Sequence, residues 1–292
     1  MPGPVESAPC AACGGAGYLV EQRLGQTARA RRCQCQAACP RCGESGYVLV
    51  PGAGGAKAQA CACRHLDQRI ATFNKVGIPA AVALCDFEGF KIWSPDHSTA
   101  RETARDFASK FKPDEPSKGF LFYGRPGGGK THLLAATLRW LALEKGVQCR
   151  YIEFMLLLSD IKAGFDSGRN QMEILKPLIS VPVLAIDELG KERGTDWERS
   201  MLDELISRRF NNGLATLFAT NYFLDPKAPA EEPGRIVRNT RNADFQREAE
   251  AMSLGQRVGD RIYSRLNEMC AFVRLDPGMD KRKDGAGGFW GR

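Results

Sequence analysis

Short apolar runs and amphipathic stretches alternate through the middle of the chain. Apolar runs of strand length lie at residues 119–123, 148–153, 182–186 and 215–220. Stretches with helical spacing follow them, at residues 130–145, 155–165 and 196–210. Strands that alternate with helices in this order predict an α/β fold built on a parallel sheet.

The flanking regions carry weaker patterns. Further helices are predicted at residues 64–73, 99–111, 242–254 and 258–266. Thr195 is a predicted N-cap, and Glu198 three residues later completes a capping box. Residues 276–292 are rich in glycine, lysine and arginine, which predicts a disordered basic tail.

The first 63 residues contain a repeated cysteine pattern. Each copy has a C-x2-C-Gly knuckle, a Gly-Tyr-aliphatic run typical of a short strand, and a C-x-C pair. The copies are offset by 29 residues at the knuckle and by 28 at the second pair. The candidate ligands are Cys10, Cys13, Cys33 and Cys35 in the first copy and Cys39, Cys42, Cys61 and Cys63 in the second. Four thiolates suit one tetrahedral Zn²⁺, so the repeat predicts two structural zinc ribbons whose folding energy comes from the metal.

Two alternatives for these cysteines stay open at the level of sequence. The pairing can be crossed, because the last pair of the first copy and the knuckle of the second, residues 33–42, lie close together and can share one ion. Redox cysteines or an iron–sulfur cluster are the other alternative, although repeated knuckles suit zinc better.

Composition and charge narrow the class of protein. The chain has 292 residues and a net charge of +7, which favours an anionic partner such as nucleic acid. It has no apolar run of about 18 residues and no charged-then-apolar N-terminal pattern, so a cytoplasmic protein is predicted. Eleven cysteines in that compartment indicate metal binding rather than disulfides.

A phosphate-binding loop is predicted between the first apolar run and the helix that follows it. The sequence of residues 124–131 is G-R-P-G-G-G-K-T, which matches G-x-x-x-x-G-K-T between a strand and a helix. Glycines let backbone N–H groups surround an anion, and the helix N-terminus adds the positive end of its dipole. Lys130 would reach the β- and γ-phosphates, and the Thr131 hydroxyl would ligate Mg²⁺. The predicted nucleotide-binding residues are Gly124, Pro126, Gly127, Gly128, Gly129, Lys130, Thr131, His132 and Asp187.

Polar residues end two later strands. Asp187 and Glu188 follow the apolar run at 182–186, a Walker B pattern in which the aspartate serves the Mg²⁺ shell and the glutamate polarises the attacking water. Asn221 follows the run at 215–220 and can orient water near the γ-phosphate, although such a residue is more often a simple strand-end cap.

These motifs together resemble a known family. Residues from about 73 to 273 are similar to the AAA+ ATPases of the DnaC/DnaI helicase-loader and IstB group. The matching elements are F-N-x2-G-I-P at 73–79, the loop at 124–131, D-E-L-G at 187–190, A-T-N-Y at 219–222 and G-D-R-x3-R-L at 259–266. The resemblance implies a P-loop AAA+ three-layer parallel sheet, with an N-terminal zinc-ribbon domain and a poorly defined C-terminal lid. The double ribbon departs from the helical N-domain of the enterobacterial loader and is more like loaders whose N-domain binds zinc.

The resemblance also implies roles for individual residues. Asn221 looks like sensor 1 of the family. Arg265, with Arg261 as second choice, looks like the arginine finger that reaches a neighbouring subunit's γ-phosphate. ATP binding would then control the formation of a homo-oligomer, here on single-stranded DNA.

Four residues are candidates for contact with that DNA. Phe165 and Trp197 are candidate stacking residues, and Lys191 and Arg193 would suit phosphate contacts. Trp197, Met201 and Leu205 recur every four residues, however, so the tryptophan is an equally good core residue.

The sequence thus predicts four segments, and the resemblance implies two competing functions. The segments are a double zinc-ribbon domain at 1–63, a linker at 64–90, an AAA+ ATPase domain at 91–275 and the tail at 276–292. The first function is an ATP-dependent loader of a replicative DNA helicase, with the ribbons as its protein-docking module. The alternative is an IstB-like transposition helper ATPase that binds DNA and recruits a transposase. A zinc-ribbon adaptor with a decayed ATP site is disfavoured by the intact Lys130, Thr131, Asp187 and Glu188.

Overall fold

The computed structural model describes residues 10–36, 39, 42–43, 45–52, 55–61, 63–166, 168, 170–191, 194–224 and 252–275. The strands are β1 (Tyr18–Glu21), β2 (Arg29–Arg32), β3 (Tyr47–Gly52), β4 (Gly55–Ala60), β5 (Gly119–Tyr123), β6 (Cys149–Glu153), β7 (Val183–Asp187), β8 (Ala215–Thr220) and β9 (Cys270–Arg274). The helices are α1 (Cys63–Phe73), α2 (Pro95–Lys110), α3 (Lys130–Glu144), α4 (Phe154–Asp166), α5 (Gln171–Ser180), α6 (Asp196–Asn211), α7 (Leu254–Val258) and α8 (Asp260–Met269). None of these helices has the length and apolarity needed to cross a membrane.

The centre of the molecule is a parallel sheet in the order β6-β7-β8-β5-β9. Strands β7 and β8 are buried along their whole length, which explains their continuous apolar sequences. Side chains of α1, α2 and α3 pack on one face, and those of α4, α5, α6 and α8 pack on the other. The predicted α/β fold with three layers is therefore confirmed.

The N-terminal region consists of two antiparallel hairpins. Strand β1 pairs with β2, and β3 pairs with β4. Each hairpin follows one cysteine knuckle, as the repeat predicts.

Several elements differ from the sequence-based expectation. Helix α2 begins at Pro95 rather than residue 99, because the Ser94 hydroxyl caps it and proline suits the first turn. The helix expected at 258–266 is α8, which begins at Asp260 and runs to Met269, because Gly259, with a φ of 88°, separates it from α7. Strand β9 and helix α5 were not expected at all. The predicted helix at 242–254 and the basic tail lie almost wholly outside the described residues, and Ser253 instead caps the start of α7.

The segment predicted as a linker contributes to the core. Phe73, Val76 and Ile78 are at most 1% exposed and belong to the apolar cluster of α1, α2 and α3. The domain boundaries themselves stay a prediction. The capping box of Thr195 and Glu198 is present with both of its hydrogen bonds.

Candidate functional site

The loop at 124–129 joins β5 to α3, in the strand–loop–helix arrangement that the sequence predicts. Gly129 is the N-cap of α3 and has a φ of 88°. A Cβ at this position would lie 2.6 Å from a ring carbon of Phe90. Both the backbone conformation and the close ring therefore require glycine at the point where the loop enters the helix.

Lys130 is the first residue of α3 and is only 7% exposed. Its ammonium donates to the carbonyl oxygens of Gly124 and Arg125, at 2.7 and 2.8 Å. The charge therefore lies inside the curve of the loop, beside the N-terminus of α3. This is a ready site for an anion, because the ammonium and the helix dipole both attract negative charge.

Asp187 ends β7 and is 4% exposed. Its carboxylate accepts hydrogen bonds from the Tyr151 hydroxyl and the backbone N–H of Glu188, both at 2.8 Å. Burial raises the pKa of Asp187, and hydrogen bonds from Thr131 and Tyr151 oppose that rise. The structure thus brings Thr131 and Asp187 together, and this pair of oxygen ligands suits Mg²⁺.

Glu188 lies in an unusual backbone conformation. Its φ of 56° makes it the one non-glycine residue with positive φ in the described part of the chain. Its carboxylate accepts a hydrogen bond from the Lys191 ammonium at 2.6 Å, which holds it on the Walker B turn. Backbone strain of this kind is common at functional sites, where the surrounding structure maintains it.

Two residues of β6 belong to this edge and were missed by sequence reasoning. Tyr151 binds Asp187, and Glu153 pairs in register with Asp187 across the parallel ladder. Burial raises the pKa of Glu153, and the nearby charges of Glu188 and Asp187 add to the effect. Both residues could have been predicted from the parallel pairing of β6 and β7, because the two strands end at the same edge of the sheet.

Asn221 lies at the same edge and is exposed. It follows β8, which runs between β7 and β5 and so between the Walker B turn and the phosphate loop. The Thr220 hydroxyl donates to the carbonyl of Leu189 at 2.7 Å, which fixes the end of β8 against the turn after Glu188. Asn221 thus directly follows the strand that lies between the two loops.

The two arginines of α8 differ in their surroundings. Arg265 donates to Asp203 of α6 at 2.6 Å, and its side chain is 19% exposed. Arg261 is 72% exposed and lies 3.6 Å from the same carboxylate. A short bond within its own chain holds Arg265, whereas Arg261 is the more exposed of the two, and which of them serves as the arginine finger stays a prediction.

The remaining predicted site residues are distributed as follows. The Nε2 of His132 is 2.7 Å from the Asp86 carbonyl oxygen, and its ring contacts Phe90. Trp197 is half-buried on the core, with the Lys162 ammonium 4.8 Å from its ring centroid, so the core assignment fits it better than base stacking. Lys191 is paired with Glu188. Arg193 and the side chain of Phe165 lie outside the described residues.

The cysteines form two separate clusters. Cys10, Cys13, Cys33 and Cys35 have sulfur atoms within 4.8 Å of one another, as do Cys39, Cys42 and Cys61. The crossed pairing is therefore excluded. The side chain of Cys63 lies outside the described residues.

The geometry of the clusters fits a tetrahedral metal. Sulfur–sulfur distances are 3.9 Å for Cys10 and Cys33, 3.5 Å for Cys13 and Cys35, and 3.7 Å for Cys39 and Cys61. A Zn–S bond of about 2.3 Å in tetrahedral geometry gives an edge of roughly 3.8 Å. The backbone N–H of Gly17 lowers the pKa of Cys13 to about 7, which favours the thiolate that binds metal.

Comparison with known proteins agrees with this geometry. Residues 109–226 match the family model of the IstB-like ATP-binding protein. The replicative helicase loader DnaC of Escherichia coli K12 is 31% identical over 151 residues, which are 51% of this chain and 60% of the loader. A crystal structure of the DnaC helicase loader superposes with a TM-score of 0.52 at 28% identity, covering 66% of this chain and 98% of that one. A crystal structure of DnaI superposes with a TM-score of 0.50 at 18% identity, which shows a shared fold.

The chain therefore carries an IstB-like ATP-binding domain with the P-loop AAA+ fold and is homologous in that region to the DnaC helicase loader. It matches only 60% of the length of that curated relative.

Proposed function

We propose that this protein is an ATPase that loads a replicative DNA helicase. The observation that carries the proposal is the meeting of Lys130, the Thr131–Asp187 pair and Glu188 at one edge of the sheet. A cation for phosphate, two oxygen ligands for Mg²⁺ and a carboxylate for water are the parts that phosphoryl transfer to water needs.

Each part has a definite task in the proposed reaction. The ammonium of Lys130 exchanges its two carbonyl partners for phosphate oxygens. Thr131 and Asp187 would hold Mg²⁺, which would supply positive charge to the phosphates. The Glu188 carboxylate releases the Lys191 ammonium and orients the attacking water. Asn221, just after β8, positions the same water.

The proposed hydrolysis also needs positive charge on the outer side of the γ-phosphate, in addition to Lys130 and Mg²⁺. Arg261 of a neighbouring copy supplies that charge in the proposal, because its guanidinium is exposed and lies on a helix at the surface. An arginine supplied in trans contributes on the order of 10³-fold or more to turnover in comparable sites. Hydrolysis then depends on assembly of several copies on single-stranded DNA.

The cysteine clusters are proposed to hold one structural zinc each, with Cys63 as the fourth ligand of the second. The helicase partner is proposed from the replicative helicase loaders that this chain resembles. A transposition helper that recruits a transposase is the second candidate, and the match to the IstB-like model favours it.

ATP turnover by the purified chain tests the first part of this proposal. Lys130→Ala is expected to abolish ATP binding, and Glu188→Gln is expected to retain binding and lose turnover. Lys110→Ala is a matched control, because Lys110 lies on the surface of α2 in an exposed pair with Asp106. Wild-type turnover by Glu188→Gln would refute the role of that carboxylate.

The partner is tested by co-purification from the native host. We expect the tagged Glu188→Gln chain with ATP to retain the hexameric replicative helicase. Retention of a transposase instead would establish the second candidate and refute the loader assignment.

A further inference from the structure

Arg257 contacts both loops that carry the catalytic candidates. It is the fourth residue of α7, and its Nε donates to the Gly190 carbonyl at 2.8 Å. Its guanidinium also lies over the Tyr222 ring, 5.1 Å from the centroid. Gly190 is two residues beyond Glu188, and Tyr222 directly follows Asn221. No motif in the sequence analysis includes Arg257.

The packing around this contact is tight. Gly190 has a φ of 88°, and a Cβ there would lie 2.9 Å from a Tyr222 ring carbon and 3.6 Å from the Arg257 Cβ. The turn after Glu188, the Tyr222 ring and the Arg257 side chain therefore pack without space between them. A shift of the guanidinium would move both loops.

Helix α7 is itself held firmly, so it can support this contact. Leu254 and Val258 are 0% and 2% exposed. Ser253 and Gln256 form a capping box, and the Leu254 N–H donates to the Phe223 carbonyl at 2.8 Å. The helix leads through Gly259 directly into α8, which carries Arg261.

We propose that Arg257 is a positioning residue for hydrolysis in its own chain: from α7 it fixes the turn that presents Glu188 and the strand end that presents Asn221. The inference rests on the proposed ATPase function. Arg257 does not touch nucleotide in this account and acts through the Gly190 carbonyl and the Tyr222 ring. Arg257 lies just before α8, the helix that carries Arg261. Its proposed effect on hydrolysis is nevertheless on the site of its own chain.

The test uses Arg257→Met, which keeps the length of the side chain and removes the N–H donors and the planar cation. Turnover is expected to fall on the order of 10²-fold, the effect of misplacing a catalytic group by about 1 Å. The affinity for a fluorescent ATP analogue is expected to stay unchanged. Arg257→Lys should recover part of the loss, because lysine can donate to Gly190 but cannot stack as a flat guanidinium. Arg208→Met is the control, since Arg208 forms an exposed pair with Glu204 on the far part of α6.

Mixing experiments separate positioning within the chain from a purely structural role. Arg257→Met chains keep Arg261, so they should restore turnover to Arg261→Ala chains, whose own sites are intact. They should not restore turnover when mixed with Lys130→Ala chains. The opposite pattern, or wild-type turnover by Arg257→Met alone, would overturn the inference and leave the ATPase function standing. Absence of turnover in the wild-type chain would overturn both.

Discussion

The two ribbons share one motif but differ in how they meet the rest of the protein. Tyr18 and Tyr47 occupy equivalent positions in the repeat. Each directly follows a glycine and is the first residue of its strand. The Tyr18 hydroxyl donates to Glu144 of α3 at 2.8 Å, whereas Tyr47 is 48% exposed. Leu49 on the second ribbon is 73% exposed.

The difference lies in the second strand of each hairpin. Ala28 lies just before β2 and Ala30 lies within it. Both are almost fully buried in the apolar cluster that also contains side chains of α1, α2 and α3. The backbone of Ala30 exchanges two hydrogen bonds with the Asn74 side chain, at 2.6 and 3.0 Å. Arg32 forms a bidentate pair with Asp67 of α1. In β4, residues 55–59 are all exposed.

The same cysteine pattern thus accompanies a hairpin in both copies, and the residues around it differ in what they contact. The first ribbon contacts α1, α3 and residue 74 through hydrogen bonds and buried alanines. In the second ribbon, Tyr47, Leu49 and residues 55–59 are exposed. The following predictions test that distinction.

The largest effect is expected from replacement of the candidate metal ligands. Cys10→Ser with Cys13→Ser should lower the free energy of unfolding of the ATPase region by roughly 2–4 kcal/mol, because hydrogen bonds and apolar packing are lost together. Cys39→Ser with Cys42→Ser should change it by less than about 0.5 kcal/mol, as for a surface site. Thermal unfolding with metal analysis of each variant measures this. Equal losses from both pairs would contradict the distinction.

A smaller loss of stability is expected from the contact between the first ribbon and Asn74. Asn74→Ala leaves the N–H and C=O of Ala30 without their partner and should cost about 2 kcal/mol. Gln59→Ala on exposed β4 is the matched control and should be neutral within about 0.5 kcal/mol. Denaturant unfolding of both variants gives the comparison. A neutral Asn74→Ala would mean that the first ribbon is not anchored there.

The smallest effect concerns the two hairpin surfaces. Tyr18→Phe removes one hydrogen bond to Glu144 and should cost about 1 kcal/mol. Leu49→Ala removes an exposed side chain from the second ribbon and should change stability by less than about 0.5 kcal/mol. A loss at Leu49 as large as that at Tyr18 would show that the second ribbon is also packed onto the protein.

The central sheet and the phosphate loop were predictable because their signals are local. The continuous apolar runs at β5, β7 and β8 have the length of strands rather than helices, and G-x-x-x-x-G-K-T has a fixed strand–loop–helix context. Strand β9 was missed because only its first and fourth residues are buried, so it shows no clean period.

The burial and the partners of charged residues were not predictable where they depend on tertiary contacts. Arg208 and Arg209 are adjacent and look alike in sequence. Arg208 is exposed beside Glu204, while Arg209 is fully buried and donates to Thr216 and the carbonyls of Leu178, Val181 and Ala215. The different exposure of Arg265 and Arg261 was likewise not predictable, because the bond from Arg265 to Asp203 joins residues 62 positions apart.

The central claim is that one ATP site uses residues of two chains. Its most direct test is ATP turnover by equal mixtures of Lys130→Ala and Arg261→Ala chains on single-stranded DNA. Each variant alone should be inactive, and the mixture should regain turnover at roughly a quarter of its head-to-tail interfaces, where an intact loop meets an intact arginine. A mixture that stays inactive, or an Arg261→Ala chain that hydrolyses ATP like the wild type, would contradict the account.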